Sequence, residues 1–223
     1  MTKILAIDTA TERCAVALRI DGRSSDSVVD TLRGHADLIL SLIDGVLLYA
    51  GIKLADLDGI AYGRGPGAFT GVRIAVGVVQ GLAFGASLPT VGVSNLAAVA
   101  QQFAKPDERV LVCMDARMNE VYWGLFTCDR ATGLVTAASD EHVGPPATVD
   151  VGSAVPTVAA GTGFGAYPEL AAMFGGIVVH TSALPRATEI ALLGEAALRA
   201  GEGRPAHEAQ PVYLRDQVAV AKK

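Results

Sequence analysis

The chain has 223 residues, 51% of them apolar, and a formal net charge of −5. That length suits one large domain or two of about a hundred residues, with apolar residues enough for a substantial core. The acidic balance weighs against a chain that grips nucleic acid by itself, though it leaves room for a local basic patch.

No apolar run reaches the roughly 18 residues of a membrane span, so no membrane contact is expected. The first residues form a strand-like run ending on an acid, without the long apolar centre and small-residue cleavage site of a signal peptide. Cys14, Cys113 and Cys128 are odd in number and set in apolar runs, which suits small buried hydrophobes and not a disulfide frame or a zinc site. A cytosolic protein is the expectation.

In chain order, Ile4 to Ile7 is an apolar strand that ends on Asp8 and a polar turn, Thr9 to Glu12. Cys14 to Ile20 is a second strand, Asp21-Gly22 a hairpin turn, and Ser25 to Thr31 a weaker third strand. From Ala36 to Ala50 the period becomes helical, with His35, Leu38, Ile39, Leu42, Ile43, Val46 and Ala50 on one broad face and Gly51 as its stop. Leu40 and Leu47 lie away from the centre of that face. His35, at the helix start, reads as a surface or interface histidine.

The next strand, Leu57 to Tyr62, leads into Gly63-Arg64-Gly65-Pro66-Gly67-Ala68-Phe69-Thr70-Gly71. A loop so rich in glycine must turn tightly or take positive φ. A helix over Val72 to Phe84 follows, with Thr70 as the expected N-cap. Two readings of the loop stand: a turn that lets a helix pack close, or a cradle for a phosphate at a helix N-terminus. It is neither a Walker A loop nor a dinucleotide fingerprint. Gly77, Gly81 and Gly85 recur every fourth residue in the helix, each costing roughly 1 kcal/mol against alanine. They mark a flat groove where another backbone comes close, either within the same domain or on a partner protein.

Thr90 to Val93 is a short strand, and Ser94 caps a helix from Asn95 to Phe103. The polar stretch Lys105-Pro106-Asp107-Glu108 divides an N-terminal domain, residues 1–105, from a C-terminal one, residues 106–223, with the last helix able to pack back on the first. The second domain opens as the first does: an apolar strand to Asp115, a short polar turn, then an apolar strand from Val121 to Phe126. Asp8 and Asp115 take matching places, which points to a duplicated α/β unit. Beyond it come strands at Leu134 to Ala138 and Thr157 to Ala160, and a loop over Val143 to Val155. A glycine loop at Gly161 to Gly165, a short helix at Pro168 to Phe174 and a strand at Ile177 to Val179 follow. The chain closes with a helix from Thr188 to Ala200, an extended Pro211 to Arg215, and a loose tail from Val218 to Lys223.

Chemistry has few candidates. In a two-lobed phosphotransferase, Asp8 and Asp115 would face a shared cleft and position Mg²⁺ or water. Alternatively each caps its own turn. His35, His142, His180 and His207 are isolated, with no pair at helical spacing, so no metal site is expected. No Gly-x-Ser-x-Gly elbow anchors a nucleophile.

Taken together, Ile4 to Thr11, Gly65 to Ile74, Met114 to Tyr122 and Tyr213-Leu214-Arg215 resemble the bacterial TsaB (YeaZ) family, in the right order over nearly the whole chain. The resemblance implies the actin/hexokinase-like (ASKHA) fold, an α/β architecture of two ribonuclease-H-like lobes. It implies a non-catalytic scaffold subunit for N6-threonylcarbamoylation of adenosine 37 in tRNAs reading ANN codons. The implied partners are TsaD, in a heterodimer, and the ATPase TsaE. tRNA is reached through the complex, and a homodimer forms when TsaD is absent. No cofactor of its own is implied. TsaD-like proteins hold metal with paired histidines on the early helix, whereas here His35 is followed four residues on by Ile39. Docking on TsaD falls to the two early helices, with His35, Leu38, Leu42, Val76, Gly77 and Gly81 as the expected contacts. Asp8, Thr9, Thr11 and Asp115 are the expected remnant of a nucleotide site. An autonomous ATP-dependent kinase of the same fold is the alternative, and a protease the remoter one.

Overall fold

The computed structural model describes residues 2–215, so the expected tail from Val218 to Lys223 lies outside the described residues. The described residues divide into two units: 2–102 with 184–211, and 103–183 with 212–215. The stretch that follows the second unit thus returns to the first.

The first unit is built from β1 (Lys3–Asp8), β2 (Arg13–Ile20), β3 (Arg23–Asp30), α1 (His35–Ala50), β4 (Gly59–Gly63), α2 (Phe69–Ala86), β5 (Thr90–Val93) and α3 (Asn95–Gln101). Its sheet has the order β3-β2-β1-β4-β5. The β1–β2 and β2–β3 pairs are antiparallel, and β4 runs parallel to both β1 and β5. The second unit holds β6 (Arg109–Arg117), β7 (Glu120–Cys128), β8 (Val135–Ala137), β9 (His142–Gly144), β10 (Val158–Ala160), α4 (Gly163–Ala166), α5 (Pro168–Met173) and β11 (Val178–His180). Its order is β11-β10-β6-β7-β8, with β9 paired to β7. Read outward from β6, this repeats the first sheet strand for strand: an antiparallel arm on one side and parallel strands on the other. The two units are ribonuclease-H-like lobes of the actin/hexokinase-like fold.

Strand β1 is central and buried on both faces, and its alternate residues serve two cores. Leu5 and Ile7 join Cys14, Val16 and Leu18 under α1 and α2. Ile4 and Ala6 join Ala15, Ala17 and Ala61 on the opposite face. That face is covered by α3 and by α6 (Ala187–Arg199). Alanines make it shallow, so the covering helix must come close. A Cβ at Gly194 would overlap that of Ala61. The buried Glu195 fixes α6 through Arg19 (2.6 Å) and Arg199 (2.8 Å).

Local signals explain most boundaries. Gly34, at φ 89, turns the chain into α1, and Gly51, at φ 66, ends it with its N–H on Leu48 O. Ser94 caps α3, its Oγ accepting from Ala97 N at 3.2 Å. The start of α2 departs from expectation: the helix begins at Phe69, not Val72, and is preceded by an extended Ala68 with no side-chain cap, so Thr70 is not the N-cap. Residues 143–155, expected as loop, contribute β9 and a short 3-10 turn. All three cysteines are buried thiols.

By length and composition α2 is long and apolar enough to cross a membrane, contrary to the reading of its sequence run. Val72, Ala75, Val76, Val79 and Ala83 nevertheless sit in the core of the first unit.

Replacement of Gly194 by leucine forces the α6 seam apart, and overpacking of this kind costs about 1–3 kcal/mol. Urea unfolding of Gly194→Leu is expected to show that loss. An unchanged midpoint would mean that the seam is slack.

Candidate functional site

The glycine loop and the first hairpin meet at the carboxyl end of β1. A Cβ on Gly71 would overlap Thr9 O, so the first turn of α2 lies backbone to backbone on the hairpin. Ala68 N donates to Ala10 O at 2.7 Å, and Thr9 Oγ1 donates to Gly71 O at 2.7 Å. The Gly65–Pro66 peptide bond is cis.

Asp8 lies at the centre, fully buried. Its Oδ1 accepts from Asn95 Nδ2 at 2.7 Å, and the nearby Thr9 and Ala10 backbone favours its charged form. Its Oδ2 has no hydrogen-bond partner. Burial pushes the Asp8 carboxyl up to about 6, against the pull of Asn95, the backbone donors and Arg13. Thr11 Oγ1 accepts from Arg13 N at 3.1 Å. Asp8 Oδ1 is thus engaged with α3, the Thr9 hydroxyl with the glycine loop, and the Thr11 hydroxyl within its own turn.

Asp115 serves the matching turn of the second unit. Its Oδ1 accepts from Arg117 N at 2.8 Å, its Oδ2 pairs with the Arg117 guanidinium at 2.9 Å, and Tyr167 OH donates to it at 3.4 Å. Asp115 caps its turn. The turn after Asp115 is left-handed through three side-chain-bearing residues, Arg117, Met118 and Asn119. Arg215 braces it, its guanidinium donating to Ala116 O at 3.1 Å and pairing with Glu120. Met114 to Tyr122 and Tyr213 to Arg215, distant in sequence, thus form one structural piece.

The other feature is a surface. On α2 the core residues occupy one side, and Gly77, Gly81 and Gly85 are exposed on the opposite side. A Cβ built on any of the three would meet nothing within 4 Å. Among the described residues, nothing in the same domain approaches the ladder closely. Phe84 beside it is 82% exposed. On α1, which touches α2 on the same face of the sheet, Leu48 is 82% and Tyr49 87% exposed, and Leu40 is also exposed. Leu38, Leu42, Ile74, Val78 and Leu82 are half-buried, each with one side on the core.

Two expected contact residues are placed elsewhere. Val76 is a core residue, facing the sheet and not solvent. His35 is buried instead of lying at the surface, because Gly34 turns the first residue of α1 inward; its carbonyl meets the Cys14 thiol and its Nε2 has no partner. Leu47, read as lying off the main face, is also buried. Asn95 was missed altogether. It attracted notice only as the residue after a helix cap, and nothing local in the sequence signals its pairing with Asp8.

The buried Asp8 carries a pH signature. Its folded-state pKa lies above the ordinary 3.8, so the folded chain holds the proton more tightly than the unfolded chain. The stability this contributes is complete below pH 3.8 and is lost as pH rises to about 6, about 3 kcal/mol in all. Asp8→Asn should remove that slope. Urea unfolding at about pH 4 and about pH 7 is expected to show the variant gaining on the wild type by that order. Parallel profiles would contradict the burial argument.

Comparison with known proteins fits this geometry. Residues 29–223 match the family model described as "TsaD: tRNA N6-adenosine threonylcarbamoyltransferase". The Escherichia coli (strain K12) protein "tRNA threonylcarbamoyladenosine biosynthesis protein TsaB" is 39% identical, covering 99% of this chain and 97% of that protein. The Haemophilus influenzae protein of the same name is 34% identical, covering 98% and 96%. Two solved Pseudomonas aeruginosa structures are each 42% identical, covering 96% of this chain and all of theirs. One, described as an uncharacterized protein with similarity to peptidase YEAZ, superposes with a TM-score of 0.87; the other, described as YeaZ, with 0.85. The chain belongs to the TsaB (YeaZ) family, within the wider group that the TsaD model describes.

Proposed function

We propose that the chain is a non-catalytic subunit for N6-threonylcarbamoylation of adenosine 37 in tRNAs reading ANN codons, and that it works by docking TsaD on the outer face of α1 and α2. The family supports the pathway, since relatives carry the name threonylcarbamoyladenosine biosynthesis protein. One observation carries the docking: three helix glycines face open space. Each costs the helix roughly 1 kcal/mol and gains no close contact among the described residues. A second helix crossing at Gly77 and Gly81 would supply the missing gain, because absent side chains let two backbones approach. Leu38, Leu42, Leu48 and Phe84 would flank the crossing and bury their exposed sides against the partner. TsaE joins the assembly, tRNA is reached through it, and a second copy of the chain takes the same face when TsaD is absent.

The division of labour rests on residues. Where TsaD-like proteins pair histidines on the early helix, this chain has a buried His35 and then Ile39. A phosphotransferase would need Asp8 and Thr9 to reach a nucleotide, and both are 0% exposed.

The test separates binding from folding. Gly81→Leu removes a helix glycine at a site with free space, so its melting temperature should equal or exceed that of the wild type, while co-purification with TsaD is lost. Retention of TsaD by Gly81→Leu and Gly77→Leu would refute the docking face.

A further inference from the structure

Asn95 lies at the start of α3 and is 0% exposed. Its three polar groups are all engaged. Its N–H donates to Gly65 O at 3.0 Å, its Oδ1 accepts from Gly65 N at 2.8 Å, and its Nδ2 donates to Asp8 Oδ1 at 2.7 Å. The amide has one workable orientation: turned over, it would set its NH₂ against the Gly65 N–H and its oxygen against a carboxylate. One side chain thus joins the end of β1, the first residues of the glycine loop and the start of α3. A Cβ on Gly63 would overlap both Asp8 Oδ1 and the Asn95 amide, so the loop leaves β4 pressed directly on this pair. The loop then runs from Gly65 to the first turn of α2, where Thr9 and Ala10 hold it by the two further bonds already described.

We propose that Asn95 is a positioning residue for partner docking: its buried amide locks Gly65 to Asp8 and thereby fixes where, and in which rotation, α2 begins. This rests on the docking face assigned to α2 above. A helix interface built on glycines demands such a fixed register, because close backbone contact is lost with small shifts, whereas long side chains adapt. The surroundings suit a lock with one charge. Arg13 and Cys14, both on β2, are the charged or titratable groups coupled to Asp8, and residues 65–71 carry none.

The experiment exchanges the two partners in the full-length chain. Asn95→Asp sets two carboxylates face to face in a buried site, where they share one proton at low pH and repel each other once alkaline pH removes it. At about pH 8 this variant should lose TsaD binding by roughly tenfold or more, and amide hydrogen exchange over residues 65–72 should quicken. At about pH 5.5 one shared proton restores the bridge, and both readouts should recover. The double variant Asp8→Asn with Asn95→Asp reverses the donor and the acceptor. The amide introduced on β1 donates to the carboxylate introduced on α3, whose other oxygen accepts from Gly65 N. This variant should bind and exchange as the wild type does at both pH values. A residue needed only for bulk stability would show neither the pH recovery nor the rescue.

Wild-type binding and exchange by Asn95→Asp at about pH 8 would overturn the proposal, as would failure of the double variant to restore them. If Asn95→Asp does not fold, the double variant alone decides, by the same criteria. If exchange responds and is rescued while TsaD binding follows neither these variants nor Gly81→Leu, the docking face is wrong and the lock on α2 stands. If Gly81→Leu loses binding but Asn95→Asp changes exchange alone, the link from lock to docking is refuted.

Discussion

The first turn of α2 rests on the backbone of the β1–β2 hairpin with no side chain between them, and much of the first unit follows from that contact. Gly71 is required because any Cβ would collide with Thr9 O, and across the seam Ala68 N donates to Ala10 O while Thr9 Oγ1 donates to Gly71 O. Once the start of α2 is fixed, 18 residues at the helical period turn Val72, Ala75, Val76, Val79 and Ala83 to the sheet. The opposite stripe is then Gly77, Gly81, Phe84 and Gly85, and it faces outward. The same glycine block that seats the helix therefore sets the phase of its exposed face.

The contact also bears on what the hairpin can do. Fixed backbone donors and a carboxylate at the end of a strand are what a phosphate site would need. Here Asp8 accepts from Asn95, Thr9 holds Gly71, and burial pushes the Asp8 carboxyl up despite the pull of Arg13. In the second unit Asp115 caps a left-handed turn braced by Arg215. The duplicated strands keep one order while the groups at their hairpins hold the backbone together. The outward face of α1 and α2 carries the exposed Gly77, Gly81, Gly85, Leu48 and Phe84.

Much of this was legible in the sequence because it is local. Apolar runs marked β1 and β2, Gly51 marked the end of α1, Ser94 capped α3, and matching aspartates disclosed the repeat that the two strand orders now show. What was illegible is long-range. Thr70 looks like a cap, yet the start of α2 is set by a collision limit with Thr9, more than sixty positions earlier. His35 begins a helix and reads as exposed until Gly34 turns it inward. Val76 shares the helical neighbourhood of Gly77 but projects to the other side. Asn95 has no local pattern at all, since its meaning lies in Asp8 and Gly65. The glycine ladder could be read two ways, and the open space around it is visible only in the structure.

The central claim is that this chain contributes a surface and no chemistry. Reconstitution of threonylcarbamoyladenosine on a tRNA transcript, with TsaD, TsaE and the substrates present, tests it most directly when run with the wild-type chain, with Gly81→Leu, and with the chain omitted. The account predicts full modification in the first arm only, and no nucleotide turnover by the isolated chain. Undiminished modification without the chain, or turnover by the chain alone that vanishes in Asp8→Ala, would contradict it.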